Sequence, residues 1–262
     1  AAKDFTNTVG GGHAHCGLLY YDAPEFPASF QRQMYFHNLH GHRMVSESLM
    51  GDGSGYVAQH RPDFLLSHNH ETIGVGVMQG PDGAIYYSDW VDSQTCHHRD
   101  VEIWDRSNGR IFRVRHGDVK SPSTKLPGMT DAELVATLGH ANSFHARQAQ
   151  RLLQERRAAG KLDVAAVDQA LASFESEHAT DPPLLLRAFW ARYVTDLVTP
   201  ELIVARLDDS SEHVRGWAVQ LLGAEKEALP GDALAKLETM AAEDFSLVVR
   251  RYLASKLQRL PF

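Results

Sequence analysis

Lys120-Ser-Pro-Ser-Thr-Lys-Leu-Pro127 marks the point where the hydrophobic period of this chain changes. Two prolines and three hydroxyl residues in so short a stretch give it the composition of a linker. Before it, from Cys16 to about His116, apolar residues come in short runs rich in aromatic and β-branched types, which predicts strands. The candidates are Gly17 to Tyr21, Gln33 to Phe36, Met44 to Leu49, Tyr56 to Ala58, Ile73 to Met78, Ala84 to Ser88 and Arg110 to Arg115. Turn signals such as Gly51-Asp52-Gly53 and Pro81-Asp82-Gly83 separate them. Short strands at near-regular spacing fit a propeller or a sandwich better than βαβ units. Beyond the linker the period is 3.6. Thr130 with Glu133 three residues on reads as a capping box, and helices are predicted over 142–158, 164–177, 183–195, 200–207, 211–222, 232–242 and 245–260.

The domain expectation is therefore a β segment over 1–117, a linker over 118–128 and a helical segment over 129–262. Within the helical segment Val214-Arg215-x-Trp217-Ala218-x-x-x-Leu222 recurs 35 residues later as Val249-Arg250-x-Tyr252-Leu253-x-x-x-Leu257. Ala149, Leu152 and Leu153 match Ala218, Leu221 and Leu222 at 69, about twice that period. This is the length of a two-helix solenoid unit, and the helical half resembles HEAT repeats.

Composition removes several functions. The chain has 262 residues and a net charge of -7 with no block of Lys or Arg, which argues against a nucleic-acid partner. No apolar run approaches the roughly 18 residues of a membrane span, so no transmembrane segment is expected. The first residues carry no initiator Met, basic n-region or apolar h-region, so either a leader has been removed or the gene continues upstream. The two cysteines, Cys16 and Cys96, form no CxxC, and without CxxCH no covalent haem is expected on this chain; they either pair or are both free.

Histidine carries the functional signal. Eleven of the fifteen precede residue 117, and three pairs have the form His-x-His: His13/His15, His40/His42 and His68/His70. On a strand, positions i and i+2 share a face, so each pair could hold one cation or line one pocket. Asp89, Asp92, Cys96, His97, His98 and Asp100 add donors after the sixth strand. Zinc or copper is one reading, with His13, His15, Asp92, His97 and His98 as ligands. Hydrogen-bonding groups at a sheet edge are the other. Arg106, Arg110, Arg113 and Arg115 around the last strand either bind a carboxylate or pair with neighbouring acids.

Taken in order, Gly12-His-Ala-His-Cys-Gly17, Phe26-Pro27, Tyr35-Phe-His-Asn-Leu-His-Gly-His-Arg43, Gly53-Ser-Gly-Tyr-Val57, Pro62-Asp-Phe-Leu65, Gly80-Pro-Asp-Gly-Ala-Ile-Tyr86, Asp89-Trp90, Cys96-His97 and Asp105-Arg-Ser-Asn-Gly-Arg-Ile-Phe-Arg-Val114 resemble the membrane-bound dehydrogenase proteins of planctomycetes. Those proteins are similar to glucose/sorbosone dehydrogenases. The resemblance implies the C-terminal blades of a six-bladed β-propeller followed by a HEAT-like α-solenoid and usually a cytochrome c-type domain. It implies pyrroloquinoline quinone and calcium as cofactors, a sugar or alcohol substrate, electron transfer to a c-type haem, and a periplasmic or exported location. By the same resemblance His40, His42, Arg43 and Asp89 are the catalytic candidates, and Arg106 and Arg110 the cofactor-binding ones. Residues 1–117 are long enough for about two blades, so the remaining blades are expected from a longer polypeptide or from other chains. A non-catalytic binding scaffold and a His-x-His metal-dependent enzyme are the alternative functions.

Overall fold

The computed structural model describes residues 14–93, 107–118, 125–222 and 232–257. The chain divides into two compact units, one comprising residues 1–50, 57–124 and 141–144, the other residues 51–56, 125–140 and 145–262.

The first unit holds two antiparallel sheets. One is a four-stranded meander of β1 (His15–Tyr21), β2 (Gln33–Asn38), β3 (Arg43–Asp52) and β4 (Gly55–Leu66), in that order. The other runs β5 (Gly74–Gln79), β6 (Ile85–Asp89) and β7 (Arg110–Val114). Alternation sets the buried faces: Gln33, Tyr35 and His37 point inward along β2, and Ile85, Tyr87 and Asp89 along β6. Leu19, Tyr21, Tyr35 and Met44 of the first sheet join Ile85 and Tyr87 of the second in one core. The Tyr21 hydroxyl donates to the Gly83 carbonyl at 2.6 Å and that of Tyr35 to the Phe30 carbonyl at 2.6 Å, so these buried rings carry satisfied polar tips.

This arrangement corrects the propeller expectation. Among the described residues there are two small open sheets, of four and three strands, and neither a six-bladed propeller nor its terminal blades can be traced. The physical reason is closure: a propeller sets at least four four-stranded blades around an axis, and seven strands in two open sheets close no ring.

The second unit is helical, with eight α-helices among the described residues: α1 (Asp131–Thr137), α2 (Ser143–Ala158, whose first two residues belong to the first unit), α3 (Val164–Glu177), α4 (Pro182–Val194), α5 (Pro200–Arg206), α6 (Glu212–Leu221), α7 (Ala233–Glu243) and α8 (Leu247–Lys256). Thr130 and Glu133 form the expected capping box, the Thr130 hydroxyl accepting from the Glu133 amide and the Glu133 carboxylate from the Thr130 amide at 2.7 Å. Asp163, Asp181, Thr199 and Ser246 accept from the amides three residues on at the starts of α3, α4, α5 and α8. Three apolar clusters hold the unit, one built around Leu134, Leu153, Leu171 and Ala188, one around Phe189, Leu207, Leu222 and Val249, and a smaller one of Leu185, Leu186 and Val214. None of these helices is long and apolar enough to cross a membrane.

The 35-residue recurrence corresponds to one packing event. Val214 and Val249 are both buried, and α6 lies so close to α8 that a Cβ on Gly216 would stand 2.6 Å from the Tyr252 ring. Gly216→Ala, which in an open helix would add about 0.5–1 kcal/mol of stability, is expected here to cost about 1–3 kcal/mol. Thermal unfolding of the variant checks this; a raised midpoint would show that the two helices do not pack as described.

Candidate functional site

The inward rows of β2 and β6 end on polar residues, His37 and Asp89. The Asp89 side chain is fully buried, and its Oδ2 accepts from Arg110 at 2.7 Å. Its Oδ1 accepts from the amides of Ile73 at 2.7 Å and Val91 at 3.3 Å. The Trp90 amide donates to the Ile73 carbonyl and the Asp92 amide to the Glu71 carbonyl, so segments 71–73 and 89–92 run together with the carboxylate between them. Arg110 also lies over the Phe112 ring at 5.1 Å. Asp89 and Arg110, expected in catalysis and in cofactor binding, are thus engaged in holding a loop.

His37 is 3 % exposed and packs on the Tyr87 ring at 4.9 Å between centroids. A Cβ at position 74 would lie 2.0 Å from its Nδ1, so glycine at the start of β5 is what lets the loop sit on the imidazole. Its Nε2 is buried without a hydrogen-bond partner among the described residues. Burial pushes its pKa down to about 4, against the opposing pull of the Asp89 carboxylate and the Arg43 main chain.

Two of the three expected His-x-His pairs do not sit on strands; of the third, His15 opens β1 and His13 lies outside the described residues. His40 and His42 occupy the turn between β2 and β3, and His68 and His70 the loop between β4 and β5. His42 and His68 have φ of 48° and 52°, in the left-handed region, which breaks the two-residue alternation on which the shared-face expectation relied. The loops nevertheless meet. The His42 carbonyl accepts from the Ser67 amide and hydroxyl, and His42 Nδ1 lies 2.9 Å from the Thr72 carbonyl. His42, Ser67, His68, Asn69 and His70 line a cavity of about 240 Å³. Arg43, expected beside these histidines, is instead paired with Asp63 at 3.0 Å.

The proposed metal ligands fare differently. His13, His97 and His98, like Arg106 and Cys96, lie outside the described residues. His15 packs edge-on against Phe36 at 5.4 Å, and Asp92 accepts from the Trp90 indole at 3.2 Å. Among the described residues no group of three or more His, Cys, Asp or Glu is arranged to hold a metal ion. Of the two arginines expected to bind a cofactor, Arg110 is paired with Asp89 and Arg106 lies outside the described residues.

Sequence reasoning passed over His37, Ser67 and Thr72. His37 had a readable signal, its i+2 phase with Gln33 and Tyr35 on a buried row. The roles of Ser67 and Thr72 depend on loops meeting across the fold, and no local pattern announces that.

Residues 2–118 match the model of a family described as a domain of unknown function (DUF7133). No curated protein and no solved structure matches the chain.

Asp89→Asn takes the charge out of a fully buried acceptor and replaces one of its oxygens by a donor, while the half-exposed Arg110 keeps access to water, and is expected to destabilise the first unit by about 1–3 kcal/mol. Urea unfolding followed by near-ultraviolet circular dichroism measures it; a loss below about 0.5 kcal/mol would show that the ion pair does not hold the loop.

Proposed function

We propose that the first unit binds a neutral, hydroxyl-rich ligand of the sugar or polyol class in the imidazole-lined cavity, with His42 accepting a hydrogen bond from a ligand hydroxyl. The observation that carries this is the 2.9 Å contact between His42 Nδ1 and the Thr72 carbonyl. A carbonyl oxygen only accepts, so Nδ1 carries the proton and Nε2 keeps its lone pair as an acceptor. Ser67, Asn69 and the neighbouring imidazoles add groups that both donate and accept, the mixture that matches sugar hydroxyls. The resemblance to glucose and sorbosone dehydrogenases supports the same ligand class.

The oxidoreductase expectation finds a foothold in the same atom, because an imidazole nitrogen that accepts from a hydroxyl is also placed to act as a base toward it. Binding without chemistry remains the better-supported reading, since Asp89, Arg43 and Arg110 are engaged in ion pairs.

Titration calorimetry of the purified chain with glucose and sorbitol tests the proposal. Saturable binding is expected, weakened on the order of ten-fold in His42→Ala, the worth of one hydrogen bond. Failure of the wild type to bind either ligand, or equal binding by the variant, would contradict it. Reduction of an electron-accepting dye by the chain with sugar, quinone and calcium would decide for the oxidoreductase instead.

A further inference from the structure

We infer that His37 is an acid-sensitive latch on loop 67–73: when its imidazole takes up a proton, the loop lifts from the sheets and the cavity that His42 shares with it comes apart. The regulatory meaning rests on the cavity being the ligand site, but the loop movement itself does not.

The geometry starts from how the loop is fastened. Its first end is tied to the turn through Ser67 and the His42 carbonyl. Its last end rests on two buried groups, the Asp89 carboxylate that accepts from the Ile73 amide and the His37 ring that lies against Gly74. A neutral imidazole tolerates that burial. An imidazolium needs acceptors for both N–H groups, and Nε2 has none among the described residues.

The surroundings offer the charge little. From β1 the residue opposite His37 is Cys16, and from β3 it is Met44, next to Arg43. β5 carries no titratable side chain, and the loop before it carries His68, His70 and Glu71, none of them buried. β6 contributes Tyr87 and Asp89, and β7 contributes Arg110. Asp89 is the buried anion in this set, and its oxygens are already occupied by Arg110 and by the amides of Ile73 and Val91. Beyond the Arg43 main chain, which serves one ring nitrogen, water is the remaining source of acceptors, and loops open at a lower cost than paired strands. The segment covering the ring at Gly74 is the end of such a loop.

The sign follows from linkage. With the loop closed His37 titrates near 4, below its ordinary 6.5, and opening returns it toward the ordinary value. The open form therefore binds the extra proton between those limits. Closure is at full strength above pH 6.5, weakens as pH falls toward 4, and is level below that. Between pH 7.5 and 4.5 the protection of the loop should fall on the order of a hundred-fold.

Amide hydrogen exchange of the full chain without ligand, corrected for the intrinsic pH dependence, tests this directly. Thr72, Ile73 and Gly74 should lose protection over that range while Phe36 and Val45 keep theirs, and His37→Leu should hold the loop protected throughout. Three results would overturn the inference: a wild-type loop indifferent to pH, a His37→Leu loop that opens at the same pH, or Phe36 and Val45 opening in step with it. Should His37→Leu not fold, the titration of the His37 ring in the wild type by nuclear magnetic resonance replaces it. Its midpoint must coincide with loop opening, and a ring that titrates near 6.5 with the loop still protected overturns the latch. Because no ligand is present, failure here leaves the sugar-binding reading standing, and absence of sugar binding leaves the latch standing.

Discussion

A carboxylate without any exposed surface must be matched by donors, and Asp89 is matched three times, by Arg110 and by the amides of Ile73 and Val91. An isolated ion at that depth would cost several kcal/mol. The side chain is held there because β6 alternates Ile85, Tyr87 and Asp89 inward, so whatever buries Ile85 and the Tyr87 ring also buries the acid. The donors it gathers belong to the chain entering β5 and the chain leaving β6. Loop 67–73 is fixed at one end by this acid, and through Thr72 and Ser67 it sets the position of His42.

Much of this was legible in the sequence, in proportion to how local its cause is. All seven strands stand where short apolar runs predicted them, and the Thr130–Glu133 box opens the first helix of the helical half. The fourth strand is far longer than Tyr56 to Ala58, because most of β4 is exposed and alternation leaves little mark on it. As the outer strand of its sheet it also tolerates Pro62, whose missing amide breaks no ladder. The packing of one sheet on another was not legible. Strand count and spacing are the same for an open pair as for blades of a propeller, and only the number of sheets and their closure distinguish them.

The histidines show the same limit at the scale of single residues. The two-residue spacing of His40/His42 and His68/His70 read as a shared strand face, but left-handed backbone at His42 and His68 takes both pairs off the strands. What gathers three of these imidazoles around a common cavity is the docking of a turn on a loop, through bonds from Ser67 and His42 to main-chain carbonyls distant in sequence. Conversely His37, whose periodicity placed it on a buried row, drew no notice because it belongs to no pair. Phase within a strand was the more reliable guide, and spacing between identical residues the less reliable one.

The central claim is that loop 67–73, pinned by Asp89, holds His42 in the tautomer that leaves Nε2 open to a ligand hydroxyl. Long-range nitrogen–proton correlation spectra of the chain with nitrogen-15-labelled histidine read that tautomer directly. The account predicts that neutral His42 carries its proton on Nδ1 in the wild type and loses that preference in Asp89→Asn. A wild-type His42 protonated on Nε2 would contradict it.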